Sequence, residues 1–223
     1  KSPKHSMPYK IDLHTHSVAS PDGGITAEHY RIMLNGGLDY IAITDHHTTA
    51  KALELQKELG DRIIVGEEIS THEGDIIGLY LTQDIDSGMS LKDAIAAIRA
   101  QNGLLYIPHP NESSRSSVQL ETLTKHILDI DIVETFNGRS LTTRSTGAVK
   151  VILNASGVAV VASSDAHGSV GWGHTYTVVP LIPTRDNLVE QLRTSTAQLH
   201  NRGVGLFGRL YPTINRTRKR YAA

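Results

Sequence analysis

Five short polar stretches each place histidine or carboxylate where an apolar run stops: Asp12-Leu13-His14-Thr15-His16, Asp45-His46-His47, Glu67-Glu68, Pro108-His109-Pro110 and Asp165-Ala166-His167. Imidazole and carboxylate are the usual protein ligands of zinc, manganese and iron, and residues two apart on an extended strand face the same side. His14 with His16, and Asp165 with His167, are therefore spaced to grip one ion as pairs. Cysteine is absent from the 223 residues. That excludes thiolate sites, disulfides and cysteine nucleophiles, and leaves imidazole nitrogen and oxygen as the strong ligands.

Elements of one repeating type lie between these stretches. Lys10 to His16 reads as a strand, and Thr26 caps a helix that runs through Asn35 and stops at Gly36-Gly37. Tyr40 to Thr44 is a second strand running into Asp45; a helix carrying Leu53, Leu55 and Leu59 ends at Gly60, and Ile63-Ile64-Val65 leads to Glu67-Glu68. Ile76 to Leu81 is another apolar run. Ser90 and Asp93 form a capping-box signature for the helix that Gly103 stops, and Leu104 to Ile107 then reaches His109. Ile130 to Phe136 reads as a strand, Gly147 to Ala155 as a helix, and Val158 to Ala162 as the strand before Asp165.

This alternation predicts an α/β fold with a parallel sheet, and the continuously apolar strands predict that both its faces are covered. A barrel brings the carboxyl ends of its strands to one rim, where residues distant in sequence surround a common point; an open sheet spreads them out. The expectation is a single domain over 1–223, a barrel of roughly seven strands with the metal site at that rim. A net charge of −1 and a pI near 6.9 give no broad field to attract nucleic acid or an anionic membrane. Lys1 to Lys10 lacks an apolar signal core, and no run approaches the ~18 apolar residues of a membrane span, so a cytoplasmic chain with no membrane partner is expected. The bases from Arg216 to Arg220 read as part of a solvated basic tail over about 213–223.

The strings Asp12-Leu13-His14-Thr15-His16-Ser17, Ala42-Ile43-Thr44-Asp45-His46, Gly66-Glu67-Glu68-Ile69-Ser70, Ile107-Pro108-His109-Pro110 and Ser164-Asp165-Ala166-His167 closely resemble the PHP (polymerase and histidinol phosphatase) family, and in the same order. The resemblance covers roughly Tyr9 to Pro180. It implies a distorted (β/α)7 barrel holding two or three divalent ions, with manganese, zinc, iron and magnesium as the possible metals. By motif, His14, His16, Glu68 and Asp165 would hold a first ion; Glu68 would bridge to a second, also bound by His109; and Asp22, His46 and His167 would hold a third. Many members carry histidine where this chain has Asp75, a harder ligand or a water-binding residue. Asn137 and Arg139 fall where one branch of the family faces its substrate.

Such a cluster fits hydrolysis of a phosphate ester by metal-bound hydroxide, with Arg139 or Arg115 clamping phosphate and His174 or a metal-bound water protonating the leaving group. The short stretch between Glu68 and His109 leaves little room for a substrate domain, which favours a small phosphomonoester or nucleotide. The alternatives are a nuclease or phosphodiesterase trimming DNA or RNA ends and a non-catalytic metal-stabilised interaction module. A barrel amidohydrolase is disfavoured because no lysine stands at a matching strand end. Outside the motifs, His5, His29, His72, His126 and His200 read as structural or solvated, and Glu67 is expected to turn away toward the surface. Asp45 and His47 either orient ligands or serve turns. The oligomeric state is left open.

Overall fold

The computed structural model describes residues 8–140, 147–194 and 198–222, so His5 lies outside the described residues. Short apolar strands alternate with amphipathic helices from the start: β1 (Tyr9–Asp12), α1 (Ala27–Leu34), β2 (Tyr40–Ile43) and α2 (Ala50–Leu59). The Thr26 hydroxyl accepts from the His29 amide while the Thr26 amide donates to His29 Nδ1, so His29 caps α1. β3 (Ile63–Thr71) turns directly into β4 (Gly74–Leu79), and α3 (Leu91–Ala100) follows, capped by Ser90. The chain continues through β5 (Leu104–Ile107), α4 (Leu120–Lys125), β6 (Ile132–Asn137), α5 (Gly147–Ser156) and β7 (Ala159–Ser163). It ends with β8 (Thr175–Val179), α6 (Leu188–Arg193), β9 (Gln198–Asn201) and α7 (Gly205–Ala222).

All nine strands join one sheet in the order β7-β6-β5-β4-β3-β2-β1-β8-β9, curled until β7 packs beside β8 and β9. The expected barrel is present, nearly closed, and the estimate of seven strands accounts for β1 to β7. Two features depart from a plain parallel repeat. The tight β3–β4 turn has no room for a crossover helix, so β4 runs antiparallel to both neighbours and its start reaches the rim where the parallel strands end. β8 and β9 are also antiparallel additions, with β8 pairing along β1.

Between β7 and β8 no strand pairing occurs among the described residues. Thr177 Oγ1 instead accepts from Ala162 N and donates to Ala162 O, both at 3.0 Å. Nearer the rim, the chain beyond β1 touches the chain beyond β7, with His16 N donating to Ala166 O at 2.9 Å.

Successive strand residues divide between two apolar layers. Ile41, Ile43, Ile63, Val65, Leu105 and Ile107 pack against helices. Tyr40, Ala42, Ile64, Leu104, Tyr106 and Ile132 form the other layer with Ile11, Ile77 and Val161, filling the barrel. No helix among the described residues is long and apolar enough to cross a membrane. The segment 213–223, expected as a solvated tail, is helical through residue 222, and its Arg216 and Lys219 bind back onto the loop after β1. The charge run concealed the end of a helix that is docked here by Asn215, Arg216 and Lys219 rather than by an apolar stripe.

Candidate metal centre

Strand parity decides which acids reach the barrel mouth. Ile64 faces inward on β3, so Glu68 does too, while Glu67 shares the outward side of Val65 and accepts from Ile85 N at 2.8 Å. Glu67 thus turns away as expected, but under a loop rather than to the surface: it is fully buried, and burial pushes its carboxyl up to about 7. Glu134 shares the inward side of Ile132, and a register shift between Glu134 and Phe136 brings Asn137 to the same side. His109 and Asp165, just past β5 and β7, sit at φ 31° and 52°, left-handed backbone that costs a non-glycine residue about 1 kcal/mol or more. Strain of that kind is concentrated where side chains must be aimed.

The fold brings together all eight residues singled out as ligands. Their donor atoms form three overlapping groups, each within 4.8 Å: His16, Asp22, His46 and His167; His14, His16 and Asp165; and His14, Glu68 and His109. His14 Nε2 lies 3.1 Å from His16 Nε2 and 3.3 Å from Glu68 Oε2, and both imidazoles approach Asp165 Oδ1 to 3.5 Å. His109 Nε2 is 3.2 Å from the other Glu68 oxygen. Asp22 Oδ2 stands 3.4 Å from His167 Nε2 and 3.8 Å from His46 Nε2. Asp75, at the start of β4, lies outside these groups, and its buried Oδ1 has no hydrogen-bond partner.

These residues fit divalent ions by their proton arrangement as well as their type. His167 Nδ1 is 2.9 Å from the Asp165 carbonyl, which only accepts, so Nδ1 carries the proton and Nε2 a lone pair. That Nε2 is buried without a hydrogen-bond partner. His14 Nδ1 lies 3.3 Å from Glu134 Oε1, and His109 Nδ1 2.9 Å from Ser117 Oγ, again turning Nε2 toward the cluster. Ring nitrogens tied down on one side and bare on the other are the usual state of metal-binding histidines.

Without an ion, the buried carboxylates draw positive charge onto two of the imidazoles, the charge that a bound cation would replace. Burial disfavours charge on His14 and His16, but Asp165 and Glu68 more than offset it, holding His14 well above the ordinary imidazole range and His16 at about 9. Burial likewise disfavours charge on Glu68 and Asp165, yet His46 and His14 keep Glu68, and Arg139, His14 and Arg115 keep Asp165, well below the usual carboxylate range. Burial and the neighbouring His16 and Arg139 take His167 down to about 3, so its ring is neutral at physiological pH.

The remaining candidates divide. Arg115 pairs with Asp165 Oδ2, and Arg139 Nη1 lies 3.3 Å from both Asp165 oxygens, so both guanidiniums reach the cluster. Asn137 donates to Glu134 at 2.9 Å and Asp165 at 3.1 Å. His174 makes none of the cluster's contacts: its ring is exposed, and its backbone closes a turn with Gly171 and accepts from Arg202. Asp45 takes the turn role, accepting from Ser17 N at 2.6 Å and Ser17 Oγ at 2.5 Å. His47 is exposed and bonds Ser87 instead.

Two carboxylates passed over in the sequence hold the ligands. Asp12 is fully buried and accepts from Ser164 N and Trp172 Nε1, tying the end of β1 to the end of β7; burial raises it to about 6. Glu134 accepts from Tyr106 OH at 2.7 Å, His109 N at 2.6 Å and Asn137, besides facing His14. Its signal was available, as a charge two residues after the apolar Ile132 and so on the same face of the strand. Glu134→Gln sets an amide N–H against one of these donors, and metal affinity should fall about 10- to 100-fold. A competition titration against a chelator measures this; parent-like affinity would show that Glu134 does not support the ligands.

No family model matches the chain. It is 38% identical over 144 residues to the uncharacterized protein MJ1587 of Methanocaldococcus jannaschii, which covers 57% of this chain and 81% of that one. A two-domain Bacteroides vulgatus protein, described as containing a predicted PHP-like metal-dependent phosphoesterase, matches 96% of this chain and 71% of its own, with TM-score 0.67 and 21% identity. The chain belongs to the MJ1587 family and has the PHP fold. The same PHP fold likeness extends to Endonuclease Q, solved with a duplex substrate carrying an abasic lesion at its active site. There the TM-score is 0.55 at 14% identity, over 86% of this chain and 58% of that one.

Proposed function

We propose that this chain is a metal-dependent phosphoesterase that hydrolyses a small phosphomonoester or nucleotide at the barrel rim. The observation that carries this reading is the overlap of the three donor groups, linked through His16 and His14, which would set bound ions side by side. His14, His16, Glu68 and Asp165 would hold one ion, Glu68 and His109 a second, and Asp22, His46 and His167 a third. Bound divalent ions supply Lewis-acid chemistry, lowering the pKa of water and neutralising charge on phosphoryl oxygens. The fold likeness to the Bacteroides vulgatus protein supports the same reading.

The chain's own residues supply the rest. Arg115 and Arg139 converge on Asp165, and their N–H groups would suit two oxygens of one phosphoryl group. Glu134 fixes the His14 tautomer and, through the His109 amide, the left-handed turn that aims His109. Asn137 holds the Asp165 carboxylate in place between the two arginines.

A panel of phosphomonoesters, nucleotides, cyclic nucleotides and short oligonucleotides, supplied with manganese or zinc, tests the reading. Turnover of monoesters or nucleotides that stops on chelation is the expected result. A second reading, cleavage of nucleic-acid ends, draws on the Endonuclease Q likeness, and oligonucleotide shortening without monoester turnover would establish it instead. Metal uptake with no turnover on any member would leave a metal-stabilised interaction module.

A further inference from the structure

The last helix reaches across the rim and bonds three of its loops. Its inward face mixes Gly208, Tyr211 and Pro212 with polar side chains, and those polar side chains meet mostly backbone oxygen. Lys219 Nζ donates to the carbonyls of Val18 at 2.8 Å, Ser20 at 2.5 Å and Gly23 at 2.9 Å, all in the loop that carries Asp22. Arg209 donates to the carbonyls of Arg139 at 3.1 Å and Ser140 at 2.8 Å. Between them, Asn215 is buried, and its amide nitrogen donates to the Asp22 carbonyl at 2.9 Å and the His167 carbonyl at 3.0 Å.

Those two carbonyls belong to residues of the same donor group, 145 positions apart in sequence, since 167 minus 22 is 145. The Asn215 amide has two hydrogens, and each meets one carbonyl, so one side chain sets the spacing between two donors. The loops are shaped to admit it. A side chain on Gly24 would collide with the Asn215 amide, and one on Gly168 with the Tyr211 ring. Asp22 itself sits in irregular backbone, with only the Ser20 hydroxyl at 2.9 Å and the Arg216 guanidinium at 2.8 Å on its carboxylate, apart from the imidazoles.

We propose that α7 is a clamp on the pocket formed by His16, Asp22, His46 and His167, and that Asn215 is a positioning residue that sets this pocket's affinity for a divalent ion. The inference rests on the metal-site reading above and adds to it a part of the chain that touches no ion. Asn215 acts through Asp22 and His167, so its loss lowers the affinity of one pocket. The groups built on Asp165 and Glu68 stay as they are.

Manganese titration of the chelator-stripped full chain by calorimetry, with elemental analysis of the dialysed product, tests this. Asn215→Asp keeps the shape and removes both donors; Asn215→Ala removes them without adding charge. Either should weaken one class of ion about 10- to 100-fold, the scale for residues that orient ligands, and leave the other class unchanged. Arg209→Ala also removes two bonds from α7 to backbone carbonyls, but not at this pocket, and it should bind ions like the parent. Equal weakening by Arg209→Ala and the Asn215 variants would reduce α7 to a general stabiliser and overturn the proposal. Parent-like binding by both Asn215 variants would overturn it alone, whereas a parent chain that takes up no manganese would overturn the metal reading and this inference together.

Discussion

His14→Ala should empty two of the three donor groups and take turnover with them. His14 belongs to two of the three donor groups and touches Glu68, His16, Asp165 and Glu134, so its removal opens two ion sites at once. It also leaves the Glu68 and Asp165 carboxylates buried with one cationic partner fewer, and uncompensated charge in such surroundings is costly. Turnover should fall on the order of 10²- to 10³-fold, the scale seen when preorganised charge stabilisation is removed from an active site. Elemental analysis should find the loss of ions in the same preparation. Full activity in this variant would refute the proposed centre, because no other imidazole among the described residues can take its place between Glu134 and Glu68.

Removal of the ions should also lower thermal stability. At free metal about 1,000-fold above its dissociation constant, binding to the folded chain alone adds about 4 kcal/mol. For a chain of this size each kcal/mol moves the unfolding midpoint by about 2–4 °C, so stripped protein should melt roughly 10 °C below loaded protein. Differential scanning calorimetry with and without chelator gives the comparison. Coincident midpoints would mean that the cluster gains nothing from ions and is held by its own protons and arginines.

Most of the proposed ligands were legible in the sequence because His14, His16, His46, His109, Asp165 and His167 come soon after an apolar strand, and barrel geometry turns such positions to one rim; Asp22, in irregular backbone, was reached only through the family resemblance. The choice of Glu68 over Glu67 was legible for the same reason, since strand alternation has a fixed period. Burial of Glu67 was not, because it depends on the loop around Ile85 folding over the outer face. His174 read as a site residue from its nearness in sequence to Asp165-Ala166-His167, but the turn at Gly171 leaves its ring exposed. Asn215 gave no local signal at all: its partners are backbone carbonyls at Asp22 and His167, and carbonyls carry no residue identity. The direction of β4 depended on a turn too short to cross the sheet, which apolar runs alone do not disclose.

The gap bridged by Thr177 has a consequence for how shape and chemistry are joined. Just above it, at the rim, the chain beyond β1 that carries His14 and His16 meets the chain beyond β7 that carries Asp165 and His167. An ion held by both segments would add a fastening where the His16 amide already meets the Ala166 carbonyl, so the group proposed to serve hydrolysis would also brace the closure. A mutation that loosens that grip would then cost contour along with catalysis.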